Sequence, residues 1–315
     1  MKIVVLDADT LGSDLDLSPL SSCGDVTVYR TTPPELVSKR LEGADAVLIN
    51  KVRLNASNLA ENETLKLICI AATGYDNIDV PFCRENGIAV CNVAGYSTHS
   101  VAQLTLSIAL SLSTHLREYS RSVRDGSYTD GGVANRLTPV YHELYGKKWG
   151  IVGYGNIGKR VADVARAIGC EILAFKREPV EGVRCVDLHT LCRESDIISV
   201  HLPLSDATRK IIGEKEFDMM KRDAIIINVA RGAVIDEAAL ADAIEQNKIG
   251  GAGVDVYSTE PMPKDHPLYR LRGYDNVCLT PHMAWGSAEA RARCLSEIIL
   301  NIEDFKKGGR RSRVD

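Results

Sequence analysis

The sequence predicts an α/β fold of two domains, each an open parallel sheet covered by helices. Three observations predict it. Short apolar runs alternate with longer mixed segments through almost the whole chain, which is the pattern of repeated strand–helix–strand units. One run passes directly into a GxGxxG glycine turn and then an alanine-rich segment. The length, 315 residues, exceeds what one hydrophobic core usually organises.

In the first domain, strands are expected at residues 2–6, 26–29, 46–49, 67–71 and 89–91, with helices at 34–41, 56–61 and 80–86 between them. Val101, Leu104, Ile108, Leu112 and Leu116 then recur at helical spacing, predicting one long helix over 97–119 that is packed on several sides. Residues 124–145 are polar and glycine-containing and read as an irregular excursion. A second alternation follows. Strands are expected at 149–152, 171–175, 197–200, 224–228, 251–256 and 276–279, and helices at 157–167, 188–194, 214–220, 237–246 and 287–306. Six strands is the full doubly wound count. Ser287 can cap the last helix, and Lys306, Lys307 and Gly308 mark its end. The tail, 309–315, reads as a surface segment or a last extended piece.

Composition narrows the function. With 45% hydrophobic and 25% charged residues, the chain is not disordered. A formal charge of −4 without a basic stripe gives nucleic acid little to hold. The first apolar run is stopped by Asp7 and Asp9, so it reads as a strand and not a leader. No run approaches the roughly 18 apolar residues of a membrane span. No membrane partner is expected, and the cytoplasm is the expected compartment. The nine cysteines include no CxxC pair, so no metal is expected; an odd number inside apolar runs points to free buried thiols.

The segment WGIVGYGNIG at 149–158 carries the strongest local signal. Gly153 makes the tight turn, Gly155 leaves room for a pyrophosphate, and Gly158 lets helix and strand pack closely. Free N–H groups at the helix start then hold the anion, so a dinucleotide is expected. The next strand runs into Lys176 and Arg177, the former 21 residues past Gly155, where NAD-preferring sites usually carry a carboxylate. Two cations there favour NADP(H). NAD(H) stays open, because Glu178 stands two residues later and could reach the ribose.

Three ionisable residues follow three later strands: Arg231, Glu260 and His282. Arginine can grip a carboxylate with two parallel bonds, and histidine can deliver a proton near neutral pH. A carboxylate on its other nitrogen would hold its tautomer. A single loop residue of any of these types is more often structural, so periodicity alone does not assemble a triad.

At Ala230-Arg231-Gly232, at DVYSTEP (255–261) and at TPHMAW (280–285), the chain resembles the D-isomer-specific 2-hydroxyacid dehydrogenases, and among them the hydroxypyruvate reductases, also called glycerate dehydrogenases. The likeness extends to ATGYDNID at 72–79, NVAGYST at 92–98 and the glycine turn. It implies a flavodoxin-like substrate domain from 1–97 plus 286–315 and a Rossmann-like dinucleotide-binding domain from 98–285. It implies that Arg231 binds the substrate carboxylate and keto oxygen, that His282 is general acid in reduction, and that Glu260 hydrogen-bonds His282. Gly74 and Tyr75 would meet the substrate carboxylate, and Trp285 would wall the pocket. Asp255 would hold the nicotinamide carboxamide, with Ser100 and Val101 starting a helix nearby. Leu202 and Pro203 would pass the adenosine side and Thr208 would reach the pyrophosphate. Asn156, Ile157, Val229, Ala230 and Ala284 complete the implied cofactor contacts, along with His282 itself.

The resemblance implies hydroxypyruvate or glyoxylate as substrate and a homodimer as assembly. Larger 2-keto acids, such as phenylpyruvate or branched-chain ones, are the alternative substrate class. An NAD(H)-sensing corepressor or scaffold with little turnover is the alternative of another kind. No role is assigned to 131–145.

Overall fold

The computed structural model describes all 315 residues. The chain divides into two compact units, Met1–Ser97 with Gly286–Asp315, and Thr98–Trp285.

The first unit is built on β1 (Lys2–Val5), β2 (Asp25–Val28), β3 (Ala46–Ile49), β4 (Leu67–Ile70) and β5 (Ala89–Cys91). All pairs are parallel, and the strand order is β2-β1-β3-β4-β5, the flavodoxin-like order. The three strands β3, β4 and β5 are buried along their whole length, which is why AVLI, LICI and AVC are continuous apolar runs and not alternating ones. The edge strand β2 is largely exposed and reads DVTV.

The Ala288–Lys306 helix belongs to this unit. Ser287 caps it, its hydroxyl accepting from the Ala290 N–H at 3.2 Å. Ala290, Cys294, Ile298 and Ile302 recur on its buried face. Arg291 ties its first turn to the N-terminal region by paired bonds of 2.6 and 2.8 Å to Asp14. The tail then covers the open edge of β5: Val314 donates to the Val90 carbonyl at 2.9 Å, and the Val90 N–H donates to the Asp315 carboxylate at 2.8 Å. An edge strand that would otherwise offer bare N–H and C=O groups is thereby closed.

The second unit contains β6 (Lys148–Val152), β7 (Glu171–Phe175), β8 (Arg184–Cys185), β9 (Ile197–Val200), β10 (Ile225–Asn228), β11 (Gly251–Val254) and β12 (Val277–Leu279). It is parallel throughout, in the order β12-β11-β10-β9-β6-β7-β8. The sheet thus has seven strands where the sequence suggested six. The extra one, β8, is two residues long and pairs only with β7, too short to carry a periodicity. The chain runs outward from β6 to β8 and returns to β9 on the other side of β6. The switch point therefore lies at the carboxyl ends of β6 and β9, where open α/β sheets hold their ligands.

The helix expected over 97–119 is interrupted. It forms as Thr98–Ser113 and Leu116–Arg124, with His115 between them at φ 49°. The hydroxyls of Ser113 and Thr114 both donate to the Leu110 carbonyl, competing with the backbone for the last turn. Val101, Ile108 and Leu112 are buried as their spacing implies, while Leu116, beyond the break, is exposed. All nine cysteines are free thiols, seven buried and two half-buried. No helix is long and apolar enough to cross a membrane.

The burial of the last helix generates a stability test. Ile298 is 1% exposed and Leu300, two residues on, is 49% exposed. Ile298→Ala is expected to cost about 2–5 kcal/mol, and Leu300→Ala within about 0.5 kcal/mol of nothing. Urea unfolding followed by far-ultraviolet circular dichroism checks both, since the two tryptophans lie in the other unit.

Candidate active site

The glycine turn follows β6 and opens the Asn156–Ala167 helix. Gly153 sits at φ +99°, and a Cβ there would come within 2.9 Å of the His201–Leu202 backbone. A Cβ on Gly158 would collide with the Gly153 carbonyl and lie 2.8 Å from Ile151, so this glycine is what brings helix and strand together. Gly155 differs: nothing lies within 4 Å of a Cβ built on it. That open face, at a helix start with no side-chain cap, fits a pyrophosphate approaching the backbone. Asn156 is exposed and Ile157 half-buried beside it. At the end of β7, Lys176, Arg177 and Glu178 are all exposed.

His201 and Leu202 follow β9 and lie against Gly153 of the turn. The Trp149 indole N–H donates to the Ser199 hydroxyl at 3.0 Å, and His201 Nε2 lies 2.9 Å from the same oxygen. His201 Nδ1 is buried without a hydrogen-bond partner. Burial holds this imidazole neutral, its pKa down at about 3. Leu202 is half-buried and Pro203 exposed. The Thr208 hydroxyl is used locally, donating to the Pro203 carbonyl at 2.7 Å and accepting from the Ser205 N–H at 2.8 Å.

The remaining polar residues stand beyond β10, β11 and β12. Asn228, buried at the end of β10, shapes the first loop: its side-chain amide donates to the Arg231 carbonyl at 2.9 Å and accepts from the Ala230 N–H at 3.1 Å. The half-buried Arg231 leads directly into the Gly232–Val234 turn. Glu260 closes the second loop on itself, Oε1 accepting from the Tyr257 N–H at 3.0 Å. Its other oxygen accepts from His282 Nδ1 at 2.6 Å. An ionised carboxylate can only accept, so Nδ1 carries the proton of that bond.

His282 holds φ +53°, a left-handed conformation that a non-glycine residue adopts only where its surroundings impose it. Asp255 imposes it. This carboxylate is wholly buried; it accepts from the Thr280 hydroxyl at 2.6 Å and the Met283 and Ala284 N–H groups at 2.9 Å each. Burial pushes its pKa up, and those donors push it back down. The carboxylate thus brackets His282, one oxygen accepting from Thr280 and Met283 on either side of it and the other from Ala284, a role the sequence did not suggest for Asp255. Ala284 in turn accepts from the Ser100 hydroxyl at 2.6 Å. Val101, Val229 and Ala284 are buried in one apolar cluster, with Trp285 packed against it, while Ala230 packs on the neighbouring cluster.

In the first unit, Gly74 and the exposed Tyr75 lie on the loop after β4. Thr73 braces that loop by donating to the Val93 carbonyl at 2.9 Å, and its own carbonyl accepts from the Asn92 amide at 2.8 Å. No group of three or more His, Cys, Asp or Glu side chains is arranged to hold a metal ion.

Residues 106–284 match the family described as D-isomer specific 2-hydroxyacid dehydrogenase, NAD binding domain. The chain belongs to this family. It is 37% identical over 308 residues to a glycerate dehydrogenase of Methylorubrum extorquens, covering 98% of this chain and 96% of that one. It is 36% identical over 317 residues to a hydroxypyruvate reductase of Blautia hydrogenotrophica, covering 98% of each. Among solved structures it is similar to an acyclic imino acid reductase in complex with NADPH and D-Arg, at 31% identity and a TM-score of 0.89 over 100% of both chains. As a member of this family, the chain is an oxidoreductase that uses a nicotinamide cofactor and acts on a CH–OH group.

The neutral His201 generates a pH test. Its folded pKa lies below the usual 6.5, at about 3, so the unfolded chain takes up the proton first. The stability this provides is complete above pH 6.5 and is lost as pH falls toward 3. His201→Gln is expected to flatten the decline of Tm across that window, and thermal melts at stepped pH check it.

Proposed function

We propose that the chain reduces hydroxypyruvate to the D-2-hydroxy acid, and secondarily glyoxylate to the achiral 2-hydroxy acid, with NADPH. The observation that carries this reading is the 2.6 Å bond between His282 Nδ1 and Glu260, with Arg231 on the adjoining strand end of the same unit.

When bound, a nicotinamide cofactor would supply the hydride for the keto carbon. Everything else falls to side chains. The Arg231 guanidinium binds the substrate carboxylate with parallel bonds and steadies the negative charge that gathers on the keto oxygen. Glu260 fixes the His282 tautomer by accepting from Nδ1, leaving Nε2 to pass the proton to that oxygen. In the oxidative direction the same nitrogen takes the proton back. Asp255 holds the imidazole in place by its bonds on either side of it.

The choice of NADPH rests on Lys176 and Arg177. They stand at the end of β7 where a carboxylate would repel a 2′-phosphate, and both are exposed. The substrate choice rests on the likeness to a glycerate dehydrogenase and a hydroxypyruvate reductase over nearly the full chain.

The purified chain, followed by nicotinamide absorbance with hydroxypyruvate, is expected to turn over faster with NADPH than with NADH. His282→Ala is expected to lose about 10²- to 10⁴-fold in kcat while still binding dinucleotide. Turnover untouched by His282→Ala would overturn the mechanism, and a preference for NADH would overturn the assignment of Lys176 and Arg177.

We also propose that the chain is a homodimer through the surface of residues 110–145. Leu116, Val123, Val133, Leu137, Val140 and Tyr145 are all exposed there, Leu137 at 75% and Tyr145 at 79%. The segment is not loose. The Tyr119 hydroxyl donates to the Pro139 carbonyl, Tyr119 and Tyr141 meet edge to face at 6.3 Å, and Arg136 reaches the Ser127 hydroxyl. An ordered apolar face of this extent marks a contact surface, and a second copy is the partner always present. Light scattering is expected to give twice the chain mass, and Leu137→Asp with Val140→Asp the single mass. A monomeric wild-type chain at micromolar concentration would overturn it.

A further inference from the structure

We infer that Glu237 and His266 form a buried positioning pair that holds, from behind, the peptide linking Arg231 to Glu260 and His282. The inference rests on the function proposed above.

Neither residue belongs to the proposed chemistry, yet both are buried. His266 Nδ1 accepts from the Leu268 N–H at 3.2 Å, capping the Pro267–Gly273 turn. Its proton therefore resides on Nε2, which donates to Glu237 Oε2 at 3.1 Å. The other oxygen of Glu237 accepts from the Ser258 N–H at 2.9 Å. One residue earlier, the Tyr257 N–H donates to Glu260. Two successive backbone N–H groups are thus held by two carboxylates, one engaging His282 and the other engaging His266.

The same peptide meets the remaining loops. Gly232, next to Arg231, lies so close that a Cβ on it would collide with the Tyr257 carbonyl carbon and the Ser258 nitrogen. The Tyr257 hydroxyl donates at 2.9 Å to the Thr280 carbonyl, which also receives the His282 N–H at 3.0 Å. The Tyr257 ring meets the His266 ring edge to face at 5.9 Å. Arg231, Glu260 and His282 come from three loops, and Tyr257–Ser258 touches all three. A buried polar pair carries a desolvation cost that an apolar pair of similar volume would avoid. Its return here is direction: its hydrogen bonds fix where that peptide sits, and an error of about 1 Å in such a site can cost on the order of 10²-fold in rate.

Two variants test this. Glu237→Gln keeps the volume but cannot accept from both Ser258 and His266. His266→Asn keeps an acceptor for the Leu268 N–H, so the turn stays capped while the reach to Glu237 is lost. For each, in folded protein judged by near-ultraviolet circular dichroism, kcat for hydroxypyruvate reduction is expected to fall about 10- to 100-fold. Dinucleotide binding by the same variants is expected to hold, since neither residue is a proposed cofactor contact, so the loss falls on kcat and not on cofactor affinity. Wild-type kcat with only a lower Tm, or a loss of dinucleotide affinity that accounts for the lower rate, would overturn the inference and leave a purely structural pair. A wild-type chain that reduces no 2-keto acid would overturn the proposed function and this inference together; an active wild type with unchanged variants would overturn the inference alone.

Discussion

Asp255 is a carboxylate with no exposed surface at the end of β11, and the loops beyond it are arranged so that it is never left without donors. A buried carboxylate lacking partners would either take up a proton or unravel its surroundings. The Thr280 hydroxyl and the Met283 and Ala284 N–H groups meet that requirement, and in doing so they fix the chain on both sides of His282. The left-handed backbone of His282 is the visible consequence. A residue that would relax into another conformation in a free loop is held because relaxing it would strip donors from a buried charge.

The strands contribute position and little else. β10, β11 and β12 are neighbours in the sheet, in register through Ile227, Gly253 and Cys278, so their carboxyl ends open side by side. The loops that leave them differ in how they are stiffened. Asn228 folds the first back on itself, Glu260 and Tyr257 close the second, and Asp255 pins the third. Each tie uses a backbone N–H or C=O that would otherwise need water. Arg231, Glu260 and His282 are thus borne on loops with few free torsions, which is what electrostatic preorganisation of the proposed proton transfer would demand.

Much of the fold was legible because each unit repeats a local pattern. Runs such as Ile225–Asn228 are apolar because both faces of a parallel sheet are covered, and that is written in consecutive letters. The glycine turn was legible for a similar reason: Gly153, Gly155 and Gly158 each answer to a backbone constraint within a few residues. Several short elements escaped, among them the Ser127–Asp130 helix and the Pro267–Gly273 3-10 turn, and two cases show why. β8 has two residues, too few for any period. The break at His115 depends on which carbonyl two neighbouring hydroxyls choose, a competition that residue spacing does not encode. Arg231, Glu260 and His282 were singled out as one proposed site only through family resemblance, since they stand at strand ends with no periodicity to join them; the structure joins two of them, His282 and Glu260, by a hydrogen bond.

What no motif conveyed is how those residues are held. Glu237 and His266 are 29 residues apart, and Asp255 and Ala284 are also 29 apart; nothing in the intervening letters says that they meet. Such ties are properties of the sheet order, which brings β10, β11 and β12 together and then forces their loops to share a small volume. Within that volume every polar group must find a partner, and the partners available are mostly those of the adjacent loop. The need to satisfy buried groups therefore cross-links the loops, and the cross-links set the distances among Arg231, Glu260 and His282. Chemistry and packing are in this respect one constraint: the bonds that keep the interior free of stranded charge are the same bonds that aim the histidine.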